Sequence, residues 1–596
     1  MTVSSLFLQH FDGSVHKRPP THRFDHIKTS FSSTFKPFFR ELQQLPLKID
    51  VSKTIKDASS KMLDAFVDSV FQFVDQPYLI PYQRNFKPVE ELDNAAIVSC
   101  IEGKIPAEFP EGVYIRNGPN PLFGGLKAAE SILGRTSNTW VEGEGMLHAV
   151  YFKKTGYGGD WEISYHNKQI DTETLQLEKQ RNKPCFLPAL EGDPLALLLS
   201  ALLNEWRFGV ANKHMSNTNV FEHAGKVYAI TENYLPIEID ISTLETSSVW
   251  DVNGAWNRPF TSHPKRDPES GELVTAGFDV KKPYYVVGVI SADGTRLSHM
   301  VDLELDKCNL AHEMGITRRY NIIMDYPLTF DTKRLVMGGE FLEYDKEGRT
   351  RIGVVPRYGD VPSLQWFDVE SSCTLHLLNC FEDGDEVVVR GCRALTSVIP
   401  GPRRGVNKFE WFSKGFNFVN SEKEDANGDG YGYLFVHVYE WRLNTANGQV
   451  KEKNLTDTSF SMDFPFINGH FTGLKHKYGY TQVIDSMASS TSGMSKYGGI
   501  AKHHFDDPNS SSYAVGYHMF EPNNFCSGSA FIPKHEAVEE DDGWIITFVH
   551  NENTQVSQVH VIDARNFTSE AVAKITLPQR VPYGFHGTFV PAPKQL

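Results

Sequence analysis

Short runs of β-branched and aromatic residues recur along most of the chain, and clusters of turn-forming residues separate them. Such runs predict strands, and short strands at regular spacing predict a closed or radially repeated all-β fold. The sequence shows no strict internal repeat, which argues against WD40 and kelch arrays. The clearest strand predictions are residues 219–230, 284–290, 434–443, 544–550 and 558–563.

Two segments break the strand pattern and predict helices. Residues 59–74 place apolar side chains on one helical face. Residues 193–208 begin with Asp193 as the N-cap and Pro194 at the first helical position, and they are apolar on most faces. We expect each helix either to pack against the core or to contact a membrane surface. Residues 1–45, which contain Ser-rich and Pro-Pro stretches, predict a flexible N-terminal tail.

The charge and the cysteine content argue against several classes of protein. The 596 residues include 59 Lys and Arg against 74 Asp and Glu, a formal net charge of −15, so no nucleic-acid partner is expected. The seven cysteines are odd in number and lack CxxC spacing, which favours reduced thiols in an intracellular compartment. We expect a cytoplasmic protein, with the plastid as the alternative because the N-terminus holds several serines and basic residues.

Four histidines lie inside apolar or β-branched runs, which predicts that their rings sit at buried strand ends. Neutral imidazoles are suitable ligands for divalent iron, copper, zinc and nickel. The first two intervals between the four are comparable with the roughly 40 to 50 residues of a propeller blade, so different blades could each present one ring. Residue type alone does not single them out, because His148 and His503 are equally suited to a metal. The four are His263, His312, His376 and His586.

Longer motifs give the chain a family resemblance. Residues 116–121 read Arg-Asn-Gly-Pro-Asn-Pro, and residues 142–148 end in Gly-Met-Leu-His. Together with residues 261–271, 539–544 and 580–589, they resemble the carotenoid cleavage dioxygenases, and most closely the plant members that cleave at the 9,10 (9′,10′) position. The resemblance runs from about residue 85 to residue 590.

The resemblance implies a seven-bladed β-propeller with a helical dome over an axial metal site. It implies a single oxygenase domain over residues 46–596, with the helices at 59–74 and 193–208 in its cap. The activity implied is cleavage of a conjugated C=C bond of a carotenoid or apocarotenoid by O2, at the 9,10 (9′,10′) position, into two carbonyl products. Apolar helices suit peripheral membrane contact in such an enzyme. The implied cofactor is Fe(II), with His263, His312, His376 and His586 as its ligands.

The resemblance also implies carboxylates that hold the second ring nitrogen of the metal-bound histidines. Glu232 and Asp463 match two of these positions, and Asp463 stands where many members carry Glu. The third position is Gly528, which offers no carboxylate. Two alternatives stay open at this point. One is the same iron chemistry on a stilbene or phenylpropenoid, and the other is a catalytically weakened propeller that binds an apocarotenoid, for which Gly528 is the sequence support.

Overall fold

The computed structural model describes residues 53–75, 84–123, 127–138, 143–155, 160–394, 436–456, 460–492, 495–505 and 513–593. Antiparallel strands are the dominant regular structure among these residues and far outnumber helices, which confirms the predicted β class. They belong to two compact units. Of the described residues, 53–74, 128–137 and 186–213 form the smaller unit, and the others form the larger unit. The predicted tail at 1–45 lies outside the described residues, and the single domain with a helical cap over 46–596 stays a prediction.

The smaller unit combines helices with a four-stranded sheet. Its core packs Val67 and Phe71 together with Leu199 and Leu203. None of the helices in the described part of the chain is long and apolar enough to cross a membrane. The helices of this unit are Lys53–Val70 and Pro194–Phe208, and the strands of its sheet are, in order, Gln72–Asp75, Lys127–Ser131, Gly134–Ser137 and Glu191–Gly192.

Both helices of this unit differ in detail from the prediction. The helix predicted over 59–74 begins earlier, at Lys53, and ends at Val70, because the last residues of that segment pair as the strand Gln72–Asp75. The second helix begins at Pro194, as predicted. Asp193, however, makes no side-chain cap bond, since its carboxylate accepts the amide of Arg135 at 2.8 Å.

The larger unit consists of antiparallel sheets that follow one another along the chain, and we number them by that order. Sheet 1 contains Ala96–Val98, Asp160–Gln169, Gly145–Thr155, Gly112–Pro119 and Gly587–Pro591. Sheet 2 contains Asn219–His223, Lys226–Ile230, Ile237–Ile239 and Thr246–Val249. Sheet 3 contains Lys265–Arg266, Leu273–Phe278, Tyr284–Ile290 and Leu297–Glu304. Sheet 4 contains Met314–Ile316, Tyr320–Asp325, Thr350–Pro356 and Gln365–Val369, and sheet 5 contains Cys373–Asp383, Glu386–Ala394, Val436–Asn444 and Val450–Asn454.

The rest of the larger unit comprises sheet 6, a small sheet and short helices. Sheet 6 contains Met462–Phe466, Tyr478–Ile484, Tyr497–His504, Asn524–Pro533, Gly543–Asn551, Val556–Asp563, Ala573–Thr576 and Ile101–Gly103, with Ala514–Met519 paired to Tyr497–His504. The small sheet contains Cys308–Asn309, Leu328–Phe330 and Leu342–Tyr344. The helices are Glu173–Arg181, Thr332–Val336 and Ser486–Ser492, with 3-10 turns at Arg84–Phe86, Val361–Ser363 and Gly469–Phe471.

Most of the predicted strands are present. The prediction at 284–290 matches Tyr284–Ile290, and those at 544–550 and 558–563 lie within longer strands. The strand predicted from 434 begins at Val436, with 434–435 outside the described residues. The prediction of one strand over 219–230 is wrong. Ala224 and Gly225 have φ of 54° and 78°, so the segment turns there and forms a hairpin of two strands.

Apolar side chains join sheets 1 to 5 of the larger unit in succession. Sheet 6 packs on sheet 1 in the same way, through residues that include Tyr114 and Ile546. Sheet 1 holds both an early strand of the unit and the last strand of the chain, so both ends of the unit meet in one sheet. The shared core residues include Ile115 and Val227 for sheets 1 and 2, Ile230 and Val286 for sheets 2 and 3, Val287 and Ile323 for sheets 3 and 4, and Ile352 and Val389 for sheets 4 and 5.

Candidate metal centre

The four predicted histidines come from four different sheets of the larger unit. Three of them lie one or two residues before a short strand, next to the strand end that the sequence predicts: His263 before Lys265–Arg266, His312 before Met314–Ile316 and His586 before Gly587–Pro591. His376 differs, because it lies within the long strand Cys373–Asp383. The pairing register of that strand shifts between Thr374 and Leu377, on either side of the histidine.

The structure brings the four rings to one place. One ligand atom from each of the four lies within 4.8 Å of those of the other three. The Nε2 atoms of His263 and His312 are 3.1 Å apart, and those of His312 and His376 are 3.2 Å apart. The ring of His586 lies 4.4 Å from that of His263, centre to centre. Two nitrogens bonded at right angles to one ion at about 2.1 Å would be about 3 Å apart, so these separations suit a shared metal.

Two of the rings are oriented by carboxylates, at the positions predicted from the sequence. Nδ1 of His312 is 2.8 Å from Oε1 of Glu232, and Nδ1 of His376 is 2.8 Å from Oδ1 of Asp463. The shorter Asp463 side chain therefore reaches its histidine directly, and its Oδ1 also accepts the amide of Phe464 at 2.8 Å. Glu232 accepts a second hydrogen bond from the hydroxyl of Ser262.

The donor set fits a cation. When the Nδ1–H groups of His312 and His376 donate to their carboxylates, each neutral ring carries a lone pair on Nε2. Two lone pairs 3.2 Å apart cannot hydrogen-bond to each other, whereas a metal ion between them accepts both. The residues present thus suit a divalent metal bound through neutral imidazoles.

Burial and neighbouring charges set the protonation of the site. Burial, followed by the other histidines and Lys265, holds the pKa of both His263 and His586 well below the usual range of histidine. These two rings are therefore neutral at pH 7 and available as ligands. Burial also opposes ionisation of Glu232, but the electrostatic interaction with His312 and the hydrogen bonds from His312 and Ser262 outweigh it and lower the carboxyl pKa. Glu232 is consequently an ionised acceptor.

The third carboxylate position is filled in a different way. Gly528 has φ of +74°, and a Cβ there would lie 2.4 Å from Cγ and Cδ of Arg116. The carbonyl of Gly528 accepts the hydroxyl of Tyr114 at 2.5 Å. In the described part of the chain no carboxylate bonds to the ring of His586, whose strand passes close to Gly528. The buried Arg116 side chain thus takes the space that a side chain at 528 would need.

His503 and His148, which residue type makes equally suitable as metal ligands, form hydrogen bonds with other side chains instead. His503 bonds through Nε2 to the hydroxyl of Thr481 at 2.8 Å and through Nδ1 to the hydroxyl of Tyr513. His148 bonds to the hydroxyl of Tyr165 at 2.8 Å. Sequence reasoning could not separate these rings from the four by composition, and the motif matches were the signal that did.

Phe464 is a residue of the site that sequence reasoning missed. Its ring centre lies 5.0 Å from that of His376 and 4.9 Å from that of His586. It also stacks with Phe585 at 6.5 Å. Its φ of 53° is unusual for a side chain this large, and it turns the chain directly after Asp463. The adjacency to Asp463 in the sequence was the available signal.

The comparisons with known proteins agree with this geometry. Residues 86–591 match the family model described as RPE65, retinal pigment epithelial membrane protein. The chain belongs to this family of carotenoid oxygenases. The chain is 31% identical over 527 residues to carotenoid 9,10(9′,10′)-cleavage dioxygenase 1 of Pisum sativum, covering 85% of this chain and 89% of the relative. It is also 31% identical to the Arabidopsis thaliana protein of the same name, covering 90% and 94%.

Solved structures show the same fold. The Synechocystis apocarotenoid oxygenase mutant Glu150Gln superposes with a TM-score of 0.68 at 19% identity, covering 87% of this chain and 100% of that chain. The lignostilbene dioxygenase of Pseudomonas brassicacearum superposes with a TM-score of 0.67 at 22% identity, covering 84% and 97%. The family model and the relatives of 31% identity confirm the family resemblance expected from the motifs.

Proposed function

We propose that this carotenoid oxygenase is a non-haem Fe(II) dioxygenase that cleaves a conjugated C=C bond of a carotenoid or apocarotenoid at the 9,10 (9′,10′) position. The observation that carries the proposal is the convergence of four imidazoles, two of them oriented by carboxylates, at one point. The names of the relatives from Pisum sativum and Arabidopsis thaliana support the substrate class and the bond. In the reaction the C=C bond breaks, and each carbon takes one atom of O2 to give two carbonyl products.

The proposed ligands are His263, His312, His376 and His586, with Glu232 and Asp463 as the residues that orient them. Iron bound there supplies the activation of O2. The protein's part would be to present four neutral imidazole donors to that ion. The carboxylates of Glu232 and Asp463 hold the Nδ1 protons of His312 and His376, so that Nε2 of each ring faces the metal. The Phe464 ring beside the histidines offers an apolar surface to a polyene.

We propose a seven-bladed propeller for the larger unit. Sheets 1 to 5 are five antiparallel sheets of four or five strands, and in sheets 2 to 5 the strands are ordered as they follow in the chain. Sheet 6 divides naturally into two more, because one residue pair, Tyr497 with Cys526, joins its first strands to the strand Asn524–Pro533. The sequential packing of the sheets and the pairing of the last strand with Gly112–Pro119 support a closed ring.

The surroundings of the substrate are part of the proposal. In the smaller unit, Met62 and Trp206 on the two helices have 48% and 41% of their surface exposed. Exposed apolar side chains on amphipathic helices support peripheral contact with a membrane, where a lipid-soluble substrate resides. We propose the cytoplasm as the location, with the plastid as the alternative, on the cysteine pattern and the N-terminal composition of the sequence.

The test is substrate-dependent turnover. Purified protein with one equivalent of Fe(II), loaded without oxygen, is mixed with β-carotene, an apocarotenal or a hydroxystilbene in air-saturated or ¹⁸O2-saturated buffer. Mass spectrometry is expected to find two carbonyl products from a carotenoid or apocarotenoid, each with one labelled oxygen. Products from the hydroxystilbene alone would establish the stilbene alternative. An absence of substrate-dependent O2 uptake with all three would favour the weakened binding propeller.

A further inference from the structure

Glu313 follows His312 in the chain, and its side chain lies among the segments that carry three of the histidines. One carboxylate oxygen, Oε1, forms an ion pair with the ammonium group of Lys265. The other, Oε2, accepts the backbone amide of Leu377 at 2.8 Å. The Glu313 side chain is 4% exposed, and that of Lys265 is 24% exposed. Both oxygens of a buried carboxylate are therefore bonded, each to a different segment.

Glu313 and its two partners each lie within two residues of a proposed metal ligand. Lys265 is two residues after His263, Glu313 is next to His312, and Leu377 is next to His376. The corresponding strands, Lys265–Arg266, Met314–Ile316 and Cys373–Asp383, belong to sheets 3, 4 and 5. Strand pairing within those sheets does not connect the three segments to one another. One carboxylate supplies that connection through an ion pair and a hydrogen bond.

We propose that Glu313 is a positioning residue of the metal centre, which ties together the backbone segments of His263, His312 and His376 and compensates the charge of Lys265. The proposal rests on the proposed function, because it concerns the same metal site. Glu313 bonds to Lys265 and Leu377 and not to any of the four rings, so it acts through the segments that hold the rings. Glu232 bonds to Nδ1 of His312 and to the hydroxyl of Ser262, so it also links the segments that carry His263 and His312.

The negative charge of Glu313 also affects metal binding, because it lies beside the positive charge of Lys265. Four neutral imidazoles bring no negative charge to a divalent ion, so a nearby unpaired ammonium group would repel that ion. The Glu313 carboxylate cancels the charge of Lys265 at the point where the chain leaves His263. Replacing Glu313 by Gln keeps the shape and a carbonyl acceptor for Leu377, but it leaves the ammonium unpaired. This substitution therefore weakens metal binding through position and charge together.

Co(II) is the probe, because its visible absorption bands report the ligand geometry without any turnover. Four apo-proteins are titrated with Co(II): the wild type, Glu313→Gln, the double variant Lys265→Met/Glu313→Gln, and Asp541→Asn. The last is the matched control, since it removes a buried carboxylate paired with Lys502 at 2.6 Å in a different region of the larger unit. For Glu313→Gln we expect Kd to rise about 10- to 100-fold, the range seen for residues that orient metal ligands, with altered absorption bands.

The double variant is expected to bind Co(II) more tightly than Glu313→Gln, because it has no unpaired ammonium group. Asp541→Asn is expected to lower thermal stability and to keep the wild-type Kd and bands. Wild-type Kd and bands in Glu313→Gln would overturn the positioning role, as would an equal loss of affinity in Asp541→Asn. If the wild type itself bound no Co(II), the proposed metal site would fail, which is a separate and recognisable result.

Discussion

Of the two histidines that bond to a carboxylate, His376 has the more buried partner, because the Asp463 side chain that bonds to its Nδ1 is 2% exposed and that of Glu232 is 20% exposed. An ionised carboxylate that is shielded from water holds the His376 ring strongly in one tautomer. For Asp463→Asn we expect iron affinity to fall about 10- to 100-fold, because a neutral amide is a weaker acceptor and can present its NH2 group to the ring. His376→Ala is expected to lose iron and turnover together.

Anaerobic iron titration followed by metal analysis measures both variants. His503→Ala is the matched control, because it removes another buried histidine that is bonded to hydroxyl groups and adjoins none of the four. It is expected to keep the wild-type iron content. Full iron occupancy and unchanged turnover in His376→Ala would refute the ligand assignment.

Gly528 is a position whose backbone conformation and surroundings both disfavour a side chain. An added Cβ would meet the Arg116 side chain at 2.4 Å, and the φ of +74° disfavours any side chain. Gly384 is the matched control, since its φ is +64° and no atom lies within 4 Å of an added Cβ. We expect Gly384→Ala to cost about 1 kcal/mol of unfolding free energy from backbone strain alone. Gly528→Ala is expected to cost about 1 to 3 kcal/mol more, from the clash with Arg116.

Urea unfolding of the two glycine variants against the wild type measures this difference. Urea unfolding and iron titration of Gly528→Glu test whether the space beside residue 528 can hold a carboxylate. If that variant were as stable as the wild type and bound iron more tightly, the space beside residue 528 would be open to a carboxylate, contrary to the contact with Arg116.

At the scale of single elements, the irregular strand Cys373–Asp383 controls where His376 points. Gly391 lies opposite Leu377 on the neighbouring strand, and an added Cβ would lie 3.0 Å from the carbonyl oxygen of His376 and 2.9 Å from the Leu377 side chain. Gly391→Ala is thus expected to push the irregular segment outward. We expect a loss of about 1 to 3 kcal/mol in unfolding free energy, with a several-fold loss of Co(II) affinity.

Gly516 offers the comparison for this variant. It also lies within a strand, Ala514–Met519, and the nearest atom to an added Cβ is 3.9 Å away. Gly516→Ala is expected to leave both stability and Co(II) affinity near wild type. Equal Co(II) affinity in the two variants, measured by absorption titration, would show that the register shift at His376 does not depend on Gly391.

Elements also show how far the sequence alone could reach. Runs rich in Val and Ile located strands such as Tyr284–Ile290, because composition reports burial on both faces of a strand. The hairpin within 219–230 was missed, since a turn of only two residues, Ala224 and Gly225, hardly interrupts the apolar run. Motif matches named the histidines and both carboxylates. The contacts of Glu313 and Phe464 with segments distant in sequence depend on how separate sheets pack, which no local pattern encodes.

At the scale of the molecule, the larger unit joins its two ends in one sheet. The strand Gly587–Pro591 pairs with Gly112–Pro119 over five residue pairs, and His586 stands directly before it. The amide of Asn117 donates to the carbonyl of His586 at 3.0 Å, which fixes the last ligand against an early strand. A metal held by His263, His312, His376 and His586 would therefore link sheets 3, 4 and 5 to the sheet that joins the ends of the unit.

Metal binding should then stabilise the larger unit as a whole. The four rings converge only in the folded chain, so an ion that binds there shifts the unfolding equilibrium by mass action, by about 2.7 kcal/mol at a free concentration 100 times Kd. We expect Co(II) to raise the thermal midpoint of the apo-protein in differential scanning calorimetry. The rise should be largely absent in His586→Ala, which lacks the ligand that adjoins the last strand. Mg²⁺ is the control ion, because it prefers oxygen ligands and should produce no shift. An equal shift with Mg²⁺, or a full Co(II) shift in His586→Ala, would contradict a site that depends on the last strand.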